Sequence, residues 1–137
     1  MHVYRIEHPV SGAGPWQTGA VYNYDSHPRV AYDHSAYDPP GPRTMGEEGT
    51  PLAKLFNYAA DCDSYVFGFK SKAQLRRWFR SQAGRRAMQS SGLAVLRVYQ
   101  VDHKHVARGN WQIAFRATSA TPVATLDLVT LKPIGNA

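Results

Sequence analysis

Hydrophobic and polar positions alternate from His2 to Glu7, with Val3, Arg5 and Glu7 on one side and Tyr4 and Ile6 on the other. A period of two belongs to an extended chain, so the protein is expected to open with a strand. Ser64 to Phe69 (SYVFGF) is rich in β-forming residues and predicts a second short strand. Leu93 to Val101, Asn110 to Ala117 and Val123 to Leu131 read as three more strands. Turn-forming residues at Asp102 to Gly109 and Thr118 to Pro122 separate them.

Between Ser71 and Ser91 the period lengthens to that of a helix. Ser71 with Gln74 three residues later is a capping-box pattern, which starts a helix at about Lys72. Leu75, Trp78, Phe79 and Gln82 then share one face, and Arg76, Arg77 and Arg80 occupy the opposite one. Gly84 is the expected weak point, Arg85 to Gln89 continue the helix, and Ser90, Ser91 and Gly92 end it. Pro51 to Ala60 predicts another helix, capped by Thr50, with Leu52, Leu55, Phe56 and Ala59 on its apolar face.

The stretch from His8 to Thr50 is dense in Gly, Pro, Tyr, His and Asp and reads as loop, most clearly over residues 20 to 50. So long a loop is unusual in a compact domain, so it is expected to be functional, mobile or to hold short elements. Short connections elsewhere favour antiparallel neighbours. The expected fold is α+β, a single domain over residues 1–137. An antiparallel or mixed sheet packs against one main amphipathic helix at 72–90, with a long Pro/Gly/Tyr-rich loop.

Composition supports one core, since 137 residues with 43% hydrophobic content match a single domain of ordinary size. No run of about 18 apolar residues is present to span a membrane. The segment MHVYRIEHPV lacks the basic flank and apolar stretch of a secretory signal. The single Cys62 makes no intrachain disulfide and suits a reducing cytoplasm.

Charge divides the chain. Residues 1 to 65 carry four basic and eight acidic residues, a balance of −4, and the remainder carries twelve basic and two acidic residues, a balance of +10, matching the total of +6. Two readings follow: the basic half binds nucleic acid or an acidic protein surface, or the acidic half folds over the basic one.

The usual catalytic motifs are missing. His103 and His105 in HKH, and His27 with His34, come without an HExxH or CxxC partner set, so no metal site is expected. Cys62 lies between Asp61 and Asp63, whose charge opposes the thiolate that a nucleophilic Cys requires. The glycines of SGAGPWQTG fit neither GxGxxG nor GxxxxGK[ST], and no GxSxG elbow occurs.

Several blocks together resemble a known group. VYRIEH at 3–8, the Gly/Pro/Trp turn at Gly14 to Trp16, FGFKSKAQLRRWF at 67–79, VYQV at 98–101 and QIAFR at 112–116 are similar to small non-structural tailed-bacteriophage proteins. The resemblance covers most of the chain outside 20–60. It implies an accessory protein of the host bacterial cytoplasm that binds and modulates a host protein or enzyme. A second, weaker likeness in motif order is to mono-ADP-ribosyltransferases. In that family a first-strand Arg or His holds NAD, and a Glu before a late strand stabilises the reacting ribose. The matching positions here are Arg5 and Gln112. Gln can hydrogen-bond a ribose hydroxyl but supplies no negative charge to the reacting centre, which argues against transferase activity.

The leading expectation is therefore a host-directed binding protein without chemistry or cofactor of its own. Its partner surface would combine Arg76, Arg77 and Arg80, facing an acidic host protein, with the loop aromatics Trp16, Tyr22, Tyr24, Tyr32 and Tyr37. The alternative is an ADP-ribosyltransferase-like or dinucleotide-binding protein that uses Arg5, Gln112 and NAD. A third is nucleic-acid binding through the basic helix, although no helix-turn-helix, RNA-binding or zinc-finger signature accompanies it.

Overall fold

The alternation read at the start of the chain becomes a division between two cores. In a computed structural model, which describes residues 1–25, 47–58 and 64–134, the first strand β1 (His2–Glu7) turns Tyr4 and Ile6 toward a layer of helices and Val3 toward a second sheet. The other elements are α1 (Pro15–Thr18), α2 (Ala20–Asp25), α3 (Pro51–Tyr58), β2 (Tyr65–Gly68), α4 (Lys72–Trp78), α5 (Gln82–Ser90), β3 (Val95–Val101), β4 (Val106–Arg108), β5 (Ile113–Arg116) and β6 (Ala120–Leu126).

The strands form two three-stranded antiparallel sheets, ordered β1-β3-β6 and β2-β5-β4. The expected α+β class holds, with two sheets where one was expected. They touch through an isolated bridge, in which Tyr4 N–H donates to Phe69 O at 2.8 Å and Phe69 N–H returns to Tyr4 O at 2.7 Å. Gly68 makes this approach possible. A Cβ there would lie 2.9 Å from the Tyr4 carbonyl oxygen and 3.1 Å from the Phe115 ring, closer than a methyl group tolerates.

Each apolar face found in the sequence covers a different part of this sandwich. Tyr24, Leu75, Trp78, Phe79 and Met88 from the helices pack on Ile6, Leu96, Val98 and Leu126 of the first sheet. Val3 and Val101 meet Ile113 and Phe115 between the sheets. Leu52 of α3 covers Ala107 and Ala114, and Phe56 stacks on Phe67 with ring centroids 5.0 Å apart. Ala59, the fourth residue of the apolar face expected there, lies outside the described residues.

The helix expected over 72–90 is two helices. Ser71 Oγ accepts the Gln74 N–H at 3.1 Å, so α4 begins as its cap predicts. The chain then breaks at Phe79–Ser81 rather than at Gly84, because Ser81 caps a new helix by accepting the Gly84 N–H at 3.0 Å. Arg85 fixes the break: its Nη1 donates to Phe79 O (2.6 Å) and Arg80 O (3.2 Å), and its Nε donates to Leu128 O (2.9 Å). The restart changes the helical phase, so Gln82, expected on the apolar face, is exposed.

The remaining differences arise from turns. Residues 15–25, expected as loop, hold α1 and α2, and the turn at 102–109 contains β4. The last strand lies earlier than expected, at 120–126, because Asp127 Oδ1 accepts the N–H groups of Val129 and Thr130, both at 2.8 Å, and closes a turn. Pro122, expected to end a turn, is accommodated within β6 because that strand is an edge.

Two substitutions test the packing by thermal or urea unfolding. Trp78→Ala should cost about 3–5 kcal/mol, as for removal of a large core ring. Gly68→Ala should cost about 1–3 kcal/mol by forcing the two sheets apart at their bridge. Wild-type stability in the second variant would show that the bridge does not depend on the missing side chain.

Candidate functional site

Residues i, i+2 and i+4 of a strand share a face, so Arg5 and Glu7 follow Val3 toward the second sheet. Both are buried. Arg5 Nη1 donates to Phe67 O on β2 at 2.7 Å, Nη2 donates to Gly12 O at 3.0 Å, and Nε lies 3.5 Å from Glu7 Oε1. Burial pulls the guanidinium below its ordinary pKa, while the Glu7 carboxylate pulls the other way.

Register places Arg97 of β3 directly opposite Arg5, a like-charge pairing that is unfavourable by itself. Glu7 resolves it, with Oε2 3.6 Å from Arg97 Nη1. Tyr99 completes the group by donating its hydroxyl to Glu7 Oε1 at 2.6 Å. Burial, together with this bond to a carboxylate, pushes the Tyr99 phenol up to about 12. Two guanidinium groups facing one carboxylate leave the cluster net positive.

The turn after β1 closes over Arg5. Gly12 adopts a left-handed conformation, φ 73°, while offering its carbonyl to the guanidinium. Gly14 N–H is accepted by Gln17 Oε1 at 2.9 Å, and Pro15 starts the single turn of α1. The Gly-Pro-Trp block is thus a capped helical turn against the first-strand arginine.

A second carboxylate organises the far side. Glu47, 1% exposed, accepts the N–H of Asn110 at Oε2 and that of Trp111 at Oε1, both at 2.8 Å. Gly109, against which Glu47 packs, donates its N–H to Gln112 O at 2.9 Å. This clamp sets the turn that delivers Gln112 to the start of β5. Gln112 is 1% exposed, and neither its Oε1 nor its Nε2 finds a hydrogen-bond partner. A buried amide without partners is costly, and native folds rarely keep one.

Arg5 and Gln112, 107 positions apart in sequence, line the same cavity of about 280 Å³. Gly14, Pro15 and Gln17 form one side, and Ile6, Tyr65 to Phe69 and Phe79 most of the remainder. A largely apolar cavity with a few convergent polar groups has the character of a small-molecule site.

The expected partner surface is only partly assembled. Arg76, Arg77 and Arg80 are exposed on and just beyond α4, and the Arg77 guanidinium lies over the Trp111 ring, 4.6 Å from its centroid. Tyr22 is 60% exposed. Tyr24 corrects the expectation of a surface aromatic: it is 0% exposed, packs edge-on against Phe79 at 5.1 Å and accepts the Ser81 N–H through its hydroxyl. Its side chain is worth more inside, where the ring fills the helix layer and the hydroxyl finds a donor. Trp16 falls in α1 with a side chain outside the described set, and Tyr32, Tyr37, Cys62, His27 and His34 lie outside the described residues. His103 and His105 occupy a short helical turn, and no cluster of potential metal ligands occurs among the described residues. Nor is any described helix long and apolar enough to cross a membrane.

Glu7, Tyr99 and Glu47 escape a reading of the sequence. Glu7 has the local signal of sharing a strand face with Arg5. Glu47 has none, because the backbone groups it holds lie 63 and 64 residues away.

A model of the family described as bacteriophage T4 Y00F protein matches residues 1–129. The chain belongs to this phage protein family. The match contains all six strands, the cleft and the basic stripe, so the Y00F family relationship bears on the site as well as on the scaffold. No curated protein and no solved structure matches the chain.

The charge cluster of this Y00F-family protein makes two predictions. Glu7→Gln should destabilise the fold by about 3–5 kcal/mol, because Arg5 and Arg97 then face each other without a counter-charge. Tyr99 gives a pH signature. Its phenol ionises near the usual value of about 10 when unfolded and at about 12 when folded. Its contribution to stability is therefore complete below the lower value and lost as pH rises through the upper one. Alkaline unfolding of the Tyr99→Phe variant should lack that component, and identical wild-type and variant profiles would remove the phenol from the cluster.

Proposed function

We propose that this phage-family protein is a host-directed accessory protein that binds a dinucleotide-class ligand, such as NAD, in the cleft between its sheets and transfers no group itself. The observation that carries this reading is the unpartnered, buried Gln112 amide in a cavity that the Arg5 guanidinium also lines. A ligand would satisfy the amide, and the net positive cluster behind Arg5 favours an anionic moiety such as a pyrophosphate.

Binding without transfer follows from the side chains available. Gln112 holds the position where the likeness to ADP-ribosyltransferases leads one to expect Glu, and a neutral amide supplies little stabilisation to an oxocarbenium-like centre. Among the described residues lining the cavity there is no carboxylate. Glu7, the nearest in sequence, is committed to two arginines and Tyr99. The proposed setting is the host cytoplasm, where such a protein would sequester the ligand or use it to regulate its own hold on a host protein.

Calorimetric titration of the whole chain with NAD tests the reading. Saturable binding at micromolar to sub-millimolar levels, without transfer of label from NAD to host lysate, is the expected result. Label transfer that is lost in Arg5→Lys would replace it with an enzyme, and the absence of any heat or spectral shift would remove the ligand altogether.

A second reading, an acidic host protein docked on the basic stripe, is favoured by the ordered Arg77–Trp111 pair beside Arg76 and Arg80. Reversing the three arginines to Glu should abolish capture of such a partner with little loss of stability, since exposed positions usually tolerate substitution within about half a kcal/mol. If the stripe follows phosphates instead, the wild-type protein should bind random duplex DNA with a log–log salt slope near one unit per neutralised phosphate.

A further inference from the structure

We infer that Gln112 is the specificity-determining residue of the cleft and recognises a planar donor–acceptor edge of the ligand, the carboxamide of a nicotinamide ring or the amino edge of an adenine. The inference rests on the ligand-binding reading above and gives it a chemical address. A side-chain amide offers one acceptor oxygen and one NH₂ donor in a single plane. Both are unsatisfied here and shielded from bulk water. The group that satisfies both at once is another planar edge with a donor beside an acceptor, the geometry by which Gln pairs with adenine.

The surroundings favour a ring over a sugar. Ile6, Val66, Phe69 and Phe79 line the same cavity, so a flat aromatic group is accommodated where a polyol would leave hydroxyls unpaired. Arg5, on the opposite sheet, is then left for the anionic part of the ligand. Two of its five N–H groups donate to Phe67 O and Gly12 O, and its Nε lies 3.5 Å from Glu7 Oε1, which fixes the guanidinium plane while leaving donors for a phosphate. The Glu47 clamp gives the recognition element its rigidity. By holding the N–H groups of Asn110 and Trp111, a carboxylate from beside α3 sets the turn immediately before Gln112. Glu47 is a positioning residue that need not touch the ligand.

The test is Gln112→Leu, a near-isosteric change that removes only the amide. Because it replaces an unsatisfied buried amide with an apolar group, the ligand-free variant should melt at the same temperature as the wild type or higher. Its affinity for NAD should nevertheless fall at least about tenfold, the worth of one or two hydrogen bonds. Parallel titrations with nicotinamide mononucleotide and with ADP-ribose decide which ring carries the edge: the ligand that loses affinity on substitution holds the recognised group. Nicotinate should bind more weakly than nicotinamide if the carboxamide is read, since a carboxylate offers no donor. Glu47→Gln should weaken binding of the same ligand while the Arg5–Glu7–Tyr99 cluster keeps its alkaline titration. Wild-type binding that is unchanged in Gln112→Leu would overturn this inference and leave the proposed function standing. No binding of any of these ligands to the wild type would overturn both, and a Gln112→Leu protein that is less stable than wild type would assign the amide a structural role instead.

Discussion

Everything in the cleft depends on one buried cation. Arg5 stands on the first strand of one sheet and donates to the Phe67 carbonyl of the other, so its guanidinium spans the space where β1 and β2 are not joined by ladder hydrogen bonds. An unpaired charge in that position would be prohibitive, and the fold surrounds it with Glu7, two carbonyl oxygens and the Gly12 turn. The Tyr4–Phe69 bridge and the absent side chain of Gly68 set how near the sheets come, and Arg5 occupies the gap beyond. The same group that tethers the sheets therefore forms one wall of the cavity between them.

The acidic and basic halves of the chain meet inside the molecule. Glu7 takes Arg97, and Glu47 takes the backbone of 110–111, so two carboxylates of the acidic half stabilise strands and turns of the basic half. Among the basic residues, Arg85 is withdrawn to hold the junction of α4, α5 and the turn after β6. Part of the charge asymmetry is thus internal bookkeeping, while Arg76, Arg77 and Arg80 remain outside. Trp111 adjoins both regions, since Arg77 lies on its ring and Glu47 grips its N–H. The basic surface and the cleft consequently share one turn, residues 109–112.

Local signals were sufficient wherever a segment's pattern and its neighbourhood agree. The period of two at 2–7, the β-rich run at 65–68, the cap at Ser71 and the apolar face of 51–58 all read correctly, because each depends on residues within a few positions of one another. The family likeness was legible for the same reason, as its blocks fall on β1, α1, β2 with α4, β3 and β5. Arg5 and Gln112 were also nameable as a pair, through motif order and without any indication of what would lie between them.

Tertiary contacts decided the rest. The single predicted helix became two because Arg85 collects carbonyls from Phe79, Arg80 and Leu128, a choice that requires residues 43 positions apart. The strands pair as two sheets that meet at the Tyr4–Phe69 bridge, an approach that Gly68 permits, and the cost of a Cβ there depends on a strand more than 60 residues distant. Tyr24 left the presumed surface because the Ser81 N–H and the Phe79 ring reward its burial. Hydrophobic period and capping are short-range properties that a sequence displays directly. Burial of a charge, isolation of an amide and the placement of Arg5 and Gln112 on one cavity arise only when distant segments exclude water from the same place.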